Sequence, residues 1–564
     1  MEDLKATIRK YALQNAVKYE GKANQGAVIG RVLGELPELK DKIRDVAKQV
    51  AEVLKDVNSM KVDLQLKELQ DTNPELLEDK EEKEKVLPAL KDAVKGKVVM
   101  RVAPSPSGPL HIGHAYAFSP SIQYCKEYDG KLILRIEDTN PENIDPQAYD
   151  LIPDDMNWLS KNKVSEVRVQ SDHLDLYYDY AEKLLAAGHA YVCTCTSESH
   201  RELTLKNKAC ACRELPMKEQ LLRWDKMFVE YKPGEAIVRI KTDLNAKNPA
   251  WRDWPALRIN DHVHPRQGTK YKVWPLMNFS VFVDDVETGV THSIRGKDHM
   301  DNEKKQLFLY DYMKKKPPVA MFVGKVNFTD MKLSTSETRQ KIEYGEYSGW
   351  DDIRLPFLRA LARRGYQPES FMDFGIHMGI SLNDKTLSEH EYFTLLNDFN
   401  KKYIQGSNRY FFIENPVEII VSNAPEQEAE VYLHPDHKER GKRKFNTHDK
   451  FYINKTDYDV LKDEKLYRLM DCLNFMKNGN KFSFDSIEHE KYKQKGEKIM
   501  HWLPVAKENL KVELLMPDNS MKSGLGENSI SNMKIGELCQ FERFGFARLD
   551  SIEKNVYKFW FTHK

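Results

Sequence analysis

Between Lys97 and His114 a short apolar run, Val98-Val99-Met100-Arg101-Val102, gives way to a loop stiffened by Pro104, Pro106 and Pro109, and a helical pattern starts afresh at Gly113. That order is strand, loop, helix. It recurs at Leu132-Ile133-Leu134-Arg135-Ile136, which ends in Glu137-Asp138-Thr139-Asn140-Pro141, a strand delivering polar groups at its C-terminal end. Strands alternating with helices imply a parallel sheet whose ligands sit beyond the strand ends.

The rest of the chain hangs on that α/β unit. At 564 residues it is too long for one ordinary core, so several domains are expected. Charged residues make up 31% and aromatics 10%, a globular composition, and the balance of 87 Lys+Arg against 87 Asp+Glu neither demands nor excludes a nucleic-acid partner. The first 95 residues read as helix, with Val46, Val50, Val53, Leu54 and Val57 at three- and four-residue steps. Glu75 to Lys85 is nearly all charged and reads as a solvated helix or linker. Ala236 to Leu244 and Ser280 to Asp285 read as strands, and Trp350 to Gly365 and Pro368 to Ile380 as helices. Beyond Arg409 the style changes to short β segments, Arg409–Ile413, Val417–Val421, Glu430–Leu433, Phe451–Asn454 and Val556–Phe561, expected to build a β-barrel region. Met1 to Asn15 lacks the apolar stretch of a signal peptide and no segment is apolar enough to span a bilayer, so a cytoplasmic protein is expected.

The loop Arg101-Val102-Ala103-Pro104-Ser105-Pro106-Ser107-Gly108-Pro109-Leu110-His111-Ile112-Gly113-His114 lies where free backbone N–H groups at a helix start favour phosphate. His111 and His114 can donate to phosphate oxygens, and Gly113 lets a nucleotide approach the backbone. The competing reading is two histidines capping a helix. Far downstream, Lys332-Leu333-Ser334-Thr335-Ser336 precedes another helical stretch. Together the two segments resemble the HIGH and KMSKS signatures of class I aminoacyl-tRNA synthetases, and RVAPSPSGPLHIGHA, LRIEDTNPEN, VTHSIRGKDH and GELCQFERFGFARLD resemble glutamyl-tRNA synthetases of the archaeal type along residues 97 to 564.

That resemblance implies ATP and Mg2+, with His111, Gly113, His114, Lys332 and Ser334 at the nucleotide, and transfer of L-glutamate to tRNA(Glu) through a glutamyl-adenylate. Thr335 stands where many class I enzymes have the second lysine of KMSKS, so Lys332 is the candidate cation for the developing pyrophosphate, with Arg339 and Lys341 in reserve. The resemblance also implies a multidomain α/β fold: an N-terminal helical extension (1–95), a Rossmann-like catalytic domain (96–345) with an acceptor-binding insertion at about 193–280, a helical connecting domain (346–408) and a β-barrel anticodon-binding region (409–564).

Glutamate carries an ammonium and two carboxylates, so its pocket needs an anion and fixed guanidiniums. Arg101 is similar to the family residue that meets the side-chain carboxylate, Glu137 stands where the family sets an acid against the α-ammonium, and Ala103 and Ser105 lie beside them. Arg101 and Glu137 could instead pair with each other between strands. Glutaminyl-tRNA synthetases, the alternative within the family, carry different residues at Ala103 and Ser105 and a neutral residue in place of Arg295, which favours glutamate. A non-catalytic tRNA-binding relative is the alternative outside enzymes, and the intact His111, Gly113, His114, Arg101, Glu137 and Arg295 argue against it.

Cys193-Thr-Cys195 and Cys210-Ala-Cys212, separated by 14 residues, suit a tetrahedral zinc with structural purpose, the alternative being unliganded thiols. In the last third, basic and aromatic residues interleave at Lys401-Lys402-Tyr403, at Arg409 to Phe412 and at Lys438 to Phe445, surfaces that could stack anticodon bases or be ordinary core and solvated loop. Archaeal relatives commonly glutamylate tRNA(Gln) as well, and no residue here decides that second partner.

Overall fold

The helical periodicity near the N-terminus produces four helices, α1 (Glu2–Lys18), α2 (Gln25–Glu35), α3 (Ile43–Val57) and α4 (Val62–Thr72). Val46, Val50, Val53, Leu54 and Val57 form one buried stripe of α3 and share a core with Ile8, Leu13, Val28, Val32 and Leu69. The computed structural model describes residues 2–18, 21–77 and 85–564, so most of the charged run Glu75 to Lys85 lies outside the described residues. The chain divides into two compact units, Met1–Lys85 and Val86–Lys564. The boundary comes earlier than residue 95 because Leu90 is buried in the second unit's core and Pro88 O accepts from the Tyr124 hydroxyl at 2.6 Å.

The second unit is built on the expected strand, loop and helix: β1 (Val99–Val102), α5 (Ile112–Glu127), β2 (Lys131–Ile136), α6 (Ala148–Ser160) and β3 (Val164–Val169). The three strands are parallel in the order β1-β2-β3. The chain then leaves through α7 (Leu174–Ala186) into an antiparallel sheet of β4 (Ala190–Cys193), β5 (Ile237–Ile240), β6 (Pro255–Ile259) and β7 (Val273–Pro275), flanked by α8 (Ser197–Leu205) and α9 (Met217–Val229). It returns through α10 (Met277–Glu287) to β8 (His292–Gly296), α11 (Met300–Tyr312) and β9 (Val319–Val323), with β8 and β9 parallel. Beside β1, the Thr291 N–H just ahead of β8 donates to Val99 O at 2.9 Å. Met100, Val102, Leu132, Leu134, Ile294 and Val323 share one core with α5. Side chains at the ends of β1, β2 and β8 therefore meet at one place.

Two local expectations change. Ser280 to Asp285 is no strand but lies within α10, because its apolar residues Phe279, Val281, Phe282 and Val283 are all buried and the helix starts upstream at Met277. A continuous apolar run does not distinguish a buried helix from a buried strand. Trp350 to Gly365 is helical only over Leu358–Arg364, since Pro356 interrupts and its carbonyl accepts from the Ile112 N–H at 3.1 Å. From Arg409 onward the β-rich segments form two seven-stranded sheets around separate apolar cores, a near-barrel arrangement.

Asp155 on α6 pins the loop ahead of His111, accepting from the Leu110 N–H at 2.9 Å and from Arg359 at 3.1 Å. Burial pushes its pKa up to about 6 in spite of both contacts. The folded state thus holds this proton more tightly than an unfolded carboxyl at about 3.9. The group's contribution to stability is full below about pH 4 and is lost as pH rises through about 6, a change of about 3 kcal/mol. Asp155→Asn should remove that component, so denaturation midpoints at pH 4.5 and pH 7.5 should differ less in the variant than in the wild type. Equal differences would show that Asp155 keeps an ordinary pKa.

Candidate active site

His111 ends the loop as the N-cap of α5, and the two histidines form a reciprocal cap. The Gly113 N–H donates to His111 Nδ1 at 3.1 Å and the His111 N–H to His114 Nδ1 at 3.2 Å. Burial pushes His111 down to about 4, and burial together with His111 pushes His114 well below its usual value, so both rings are neutral at pH 7. With Nδ1 accepting, the ring proton sits on Nε2 of each. Capping and phosphate donation are therefore compatible: one nitrogen caps while the other remains a donor.

The second signature meets the first. Leu333 lies so close to Gly113 that a Cβ there would come within 3.3 Å of it, and within 2.9 Å of the His111 ring. Ser107 Oγ is 3.1 Å from Thr335 Oγ1, and Arg339 donates to Ser107 O and pairs with Asp145 at 3.2 Å. Ser334 caps α12 (Thr335–Glu343) by accepting from the Glu337 N–H. Lys332 extends into solvent against Glu337 at 2.6 Å, which Lys341 also approaches, at 3.4 Å. Arg339 is thus committed to the loop, while Lys332 sits on an exposed side chain whose pairing is readily exchanged.

Beyond the ends of β1, β2 and β8 lies a cavity of about 160 Å³ lined by Arg101, Ala103, Glu137, Arg295, His299 and Gln306 among others. Arg101, Ala103, Glu137 and Arg295 are brought together as the sequence suggested, whereas Ser105 is exposed and does not line this cavity. Arg101 and Glu137 do not pair with each other. Asp285 of α10 holds the arginines instead: its Oδ1 is 3.3 Å from Arg101 Nε and 2.6 Å from Arg135 Nη1, and its Oδ2 is 3.7 Å from Arg295 Nη2. Glu137 accepts from Arg135 at 3.0 Å. Burial alone would raise the Asp285 carboxyl, but Arg101, Arg135 and Arg295 together hold it below its usual range. With Arg168 and Asp284 joined through Arg135, four guanidiniums share three carboxylates, Asp284, Asp285 and Glu137, an excess of positive charge. Arg295 bears it, pushed down to about 10 by burial and by Arg101.

Asp285 and Arg135 were missed by sequence reasoning. The available signal was the pair Asp284-Asp285 at the end of an apolar run, since carboxylates in a buried segment must be paired. Asp284, 4.0 Å from Arg135 Nε, is matched chiefly by Arg168 at 2.8 Å, Gln170 at 2.7 Å and the Tyr177 hydroxyl at 2.9 Å.

In the inserted sheet, the Sγ atoms of Cys193, Cys195, Cys210 and Cys212 lie within 4.8 Å of one another, with Cys193 to Cys210 at 3.9 Å and Cys195 to Cys212 at 3.8 Å. A tetrahedral zinc with bonds of about 2.3 Å sets its sulfurs about 3.8 Å apart, so the donor set and its spacing fit that ion. Arg223 donates to Cys212 Sγ at 3.4 Å, and Tyr191, 3.8 Å from Cys210 Sγ, is bonded to Asp253 at 2.9 Å.

The basic and aromatic runs near the C-terminus fare differently. Tyr410, Phe411 and Phe412 are core residues. Alternation along Lys442–Thr447 buries Arg443 against Glu527 at 2.6 Å, while Lys442 pairs with Glu430 and Lys444 with Glu428. The aromatic residues of 409–412 and 442–445 are therefore not open for stacking, whereas Tyr403 is exposed.

Residues 97–405 match the family described as tRNA synthetases class I (E and Q), catalytic domain, and residues 407–494 and 499–550 match the two anti-codon binding domains of the same family. The chain belongs to this family of class I tRNA synthetases. Within it, the chain is similar to the glutamate–tRNA ligase of Methanobrevibacter smithii, 43% identical over 567 residues, and to that of Methanothermobacter thermautotrophicus, 44% identical over 566, each alignment covering 100% of both chains. The glutamate–tRNA ligase of Pyrococcus abyssi is 45% identical over 98% of this chain and 99% of its own.

Metal analysis of protein purified without chelator should give one zinc per chain, and Cys193→Ser or Cys210→Ser should lower zinc content and thermal stability together. Full stability with no zinc would return the four cysteines to ordinary buried thiols.

Proposed function

We propose that this chain joins L-glutamate to tRNA(Glu), using ATP to form a glutamyl-adenylate and then esterifying the tRNA. The observation that carries this is Arg295: a buried guanidinium in cationic excess, facing a cavity that also presents Arg101 and Glu137. Two cations and one anion complement a substrate with two carboxylates and one ammonium. Arg101 and Arg295 take the γ-carboxylate, Glu137 takes the α-ammonium, and the α-carboxylate is left facing the nucleotide loop.

In the first reaction an α-carboxylate oxygen attacks the α-phosphorus of ATP and pyrophosphate leaves. In the second, a ribose hydroxyl at the tRNA 3′ end attacks the acyl carbon and AMP leaves. The Nε2–H groups of His111 and His114, not used in the capping contacts, donate to phosphoryl oxygens in this reading without a change of protonation, which suits a step whose demand is charge stabilisation. Lys332, on a solvent-facing loop that touches Gly113 through Leu333, follows the pyrophosphate. Mg2+ would accompany ATP and offset its charge.

The finer domain roles follow the same reading. Residues 86–345 form the Rossmann-like catalytic part, the antiparallel insertion takes the acceptor end, and the near-barrel sheets read the anticodon. Zinc bound by Cys193, Cys195, Cys210 and Cys212 would cross-link the loop after β4 and serve structure, since all four positions are filled by protein. Nothing in the anticodon part excludes tRNA(Gln), and acylation of both tRNAs is part of the proposal.

Glutamate and glutamine are nearly isosteric, so charge must separate them. Arg295→Gln should lower the efficiency of glutamate activation by a few kcal/mol, roughly 10²-fold, while glutamine use falls much less. The reading out is the ratio of activation efficiencies for the two amino acids, measured with tRNA present; an unaltered ratio would make Arg295 structural. His111→Ala or His114→Ala should slow activation by roughly 10²-fold, about 3 kcal/mol, and unchanged rates would leave the rings as caps alone.

A further inference from the structure

Arg295 and Gln306 also line a second and much smaller cavity. Its other walls include Ser293, Glu303, Tyr310 and Pro318, and it measures about 10 Å³. That is roughly the room one water molecule needs. Two of its lining residues carry buried polar atoms with no hydrogen-bond partner among the described residues, Ser293 Oγ and the Tyr310 hydroxyl, and Asp285 Oδ2, which does not line it but lies 3.7 Å from Arg295 Nη2, is likewise unpaired. Their residues are 1%, 4% and 2% exposed. Groups this deeply buried are ordinarily paired, and a cluster of unpaired ones around a small polar cavity is the mark of an internal water site.

The local structure explains why they converge. Ser293 and Arg295 are two apart on β8, so their side chains leave the sheet on the same face. Tyr310 comes from the last turn of α11 and is held edge-on by Phe282 at 4.9 Å between ring centres. Asp285 Oδ2 stands 3.7 Å from Arg295 Nη2, too far for a hydrogen bond and a separation that a bridging molecule can serve. Burial, with Asp285 adding to it, raises the Tyr310 hydroxyl, so it keeps its proton and remains a donor.

We propose that Ser293, Tyr310 and Asp285 bind one internal water molecule against Arg295, and that Ser293 and Tyr310 are thereby positioning residues for glutamate selectivity. The valences balance: the water accepts from the Tyr310 hydroxyl and an Arg295 N–H and donates to Asp285 Oδ2 and Ser293 Oγ. The guanidinium is then fixed from the smaller cavity, its remaining N–H groups directed at the substrate cavity. Among the described residues, the contact that orients Arg295 is the long ion pair to Asp285. A loosely held cation binds carboxylate less tightly, because ordering it is then charged against substrate binding. The inference rests on Arg295 meeting the γ-carboxylate.

A crystal structure of the full chain should show an ordered water within hydrogen-bond distance of Ser293 Oγ and the Tyr310 hydroxyl. Tyr310→Phe and Ser293→Ala should each raise KM for glutamate by roughly three- to ten-fold, the scale of one lost hydrogen bond, with kcat nearly unchanged and glutamine use little affected. In an Arg295→Gln background neither substitution should add anything further. A direct Tyr310 to Asp285 hydrogen bond with no water between, or unchanged KM in both variants while Arg295→Gln loses selectivity, overturns this inference alone. Unchanged selectivity in Arg295→Gln overturns the glutamate reading and with it any part for the water in specificity.

Discussion

One buried carboxylate organises the substrate end of this molecule. Asp285 lies at the C-terminal part of α10 and gathers guanidiniums from β1, β2 and β8, three separate segments that the sheet brings to one place. Arginines this close repel one another in a poorly hydrated interior, and burial first, with Arg101 adding to it, disfavours the charged form of Arg295. Asp285 offsets only part of that repulsion. What remains is an unneutralised cation at the wall of a cavity, arranged before any ligand arrives. Preorganised charge of this kind does not have to be rearranged when the substrate binds, which is why it selects by charge so well.

On the proposed reading, the nucleotide end works on the opposite principle. There the loop between β1 and α5 presents neutral donors, because burial holds both histidines below neutrality and the backbone occupies Nδ1 of each. A neutral imidazole can donate to phosphate and release pyrophosphate without trapping it as an ion pair. The positive charge proposed for the phosphates is Lys332, on an exposed side chain paired with Glu337. Fixed cations for the amino acid and exchangeable ones for the phosphates suit a site that must hold one substrate firmly and let a product go.

Much of this was legible in the chain before any coordinates. Runs such as Val98 to Val102 and Leu132 to Ile136 announce strands because apolar segments bounded by proline and glycine have few alternatives, and the two signature loops, far apart in sequence, meet through Ser107 and Thr335 and through Leu333 and Gly113. The cysteine pairs also met as expected, since Cys193-x-Cys195 and Cys210-x-Cys212 need only one turn each to converge. What failed did so for a common reason: local pattern does not report tertiary burial. Ser280 to Asp285 has strand-like composition, yet it is surrounded on all sides and coils as α10, and reading it as a strand hid the carboxylate that pairs the arginines. Phe411 and Phe412 looked like stacking residues beside Arg409 but belong to the cores of two sheets, and Arg443 in its basic run is neutralised by the buried Glu527, far away in sequence. Ser105 lies two residues from Ala103, and the bend of the proline-rich loop turns it outward.

The central claim is that a cavity charged by Arg101, Arg295 and Glu137 accepts glutamate for activation by ATP. Pyrophosphate exchange by the purified full chain, run with ATP and tRNA(Glu) and with glutamate and glutamine in separate reactions, addresses it without any substitution. Exchange that depends on glutamate and is at least about 10²-fold weaker with glutamine is the expected result. A folded protein that shows no exchange with either amino acid, or that prefers glutamine, would contradict the assignment.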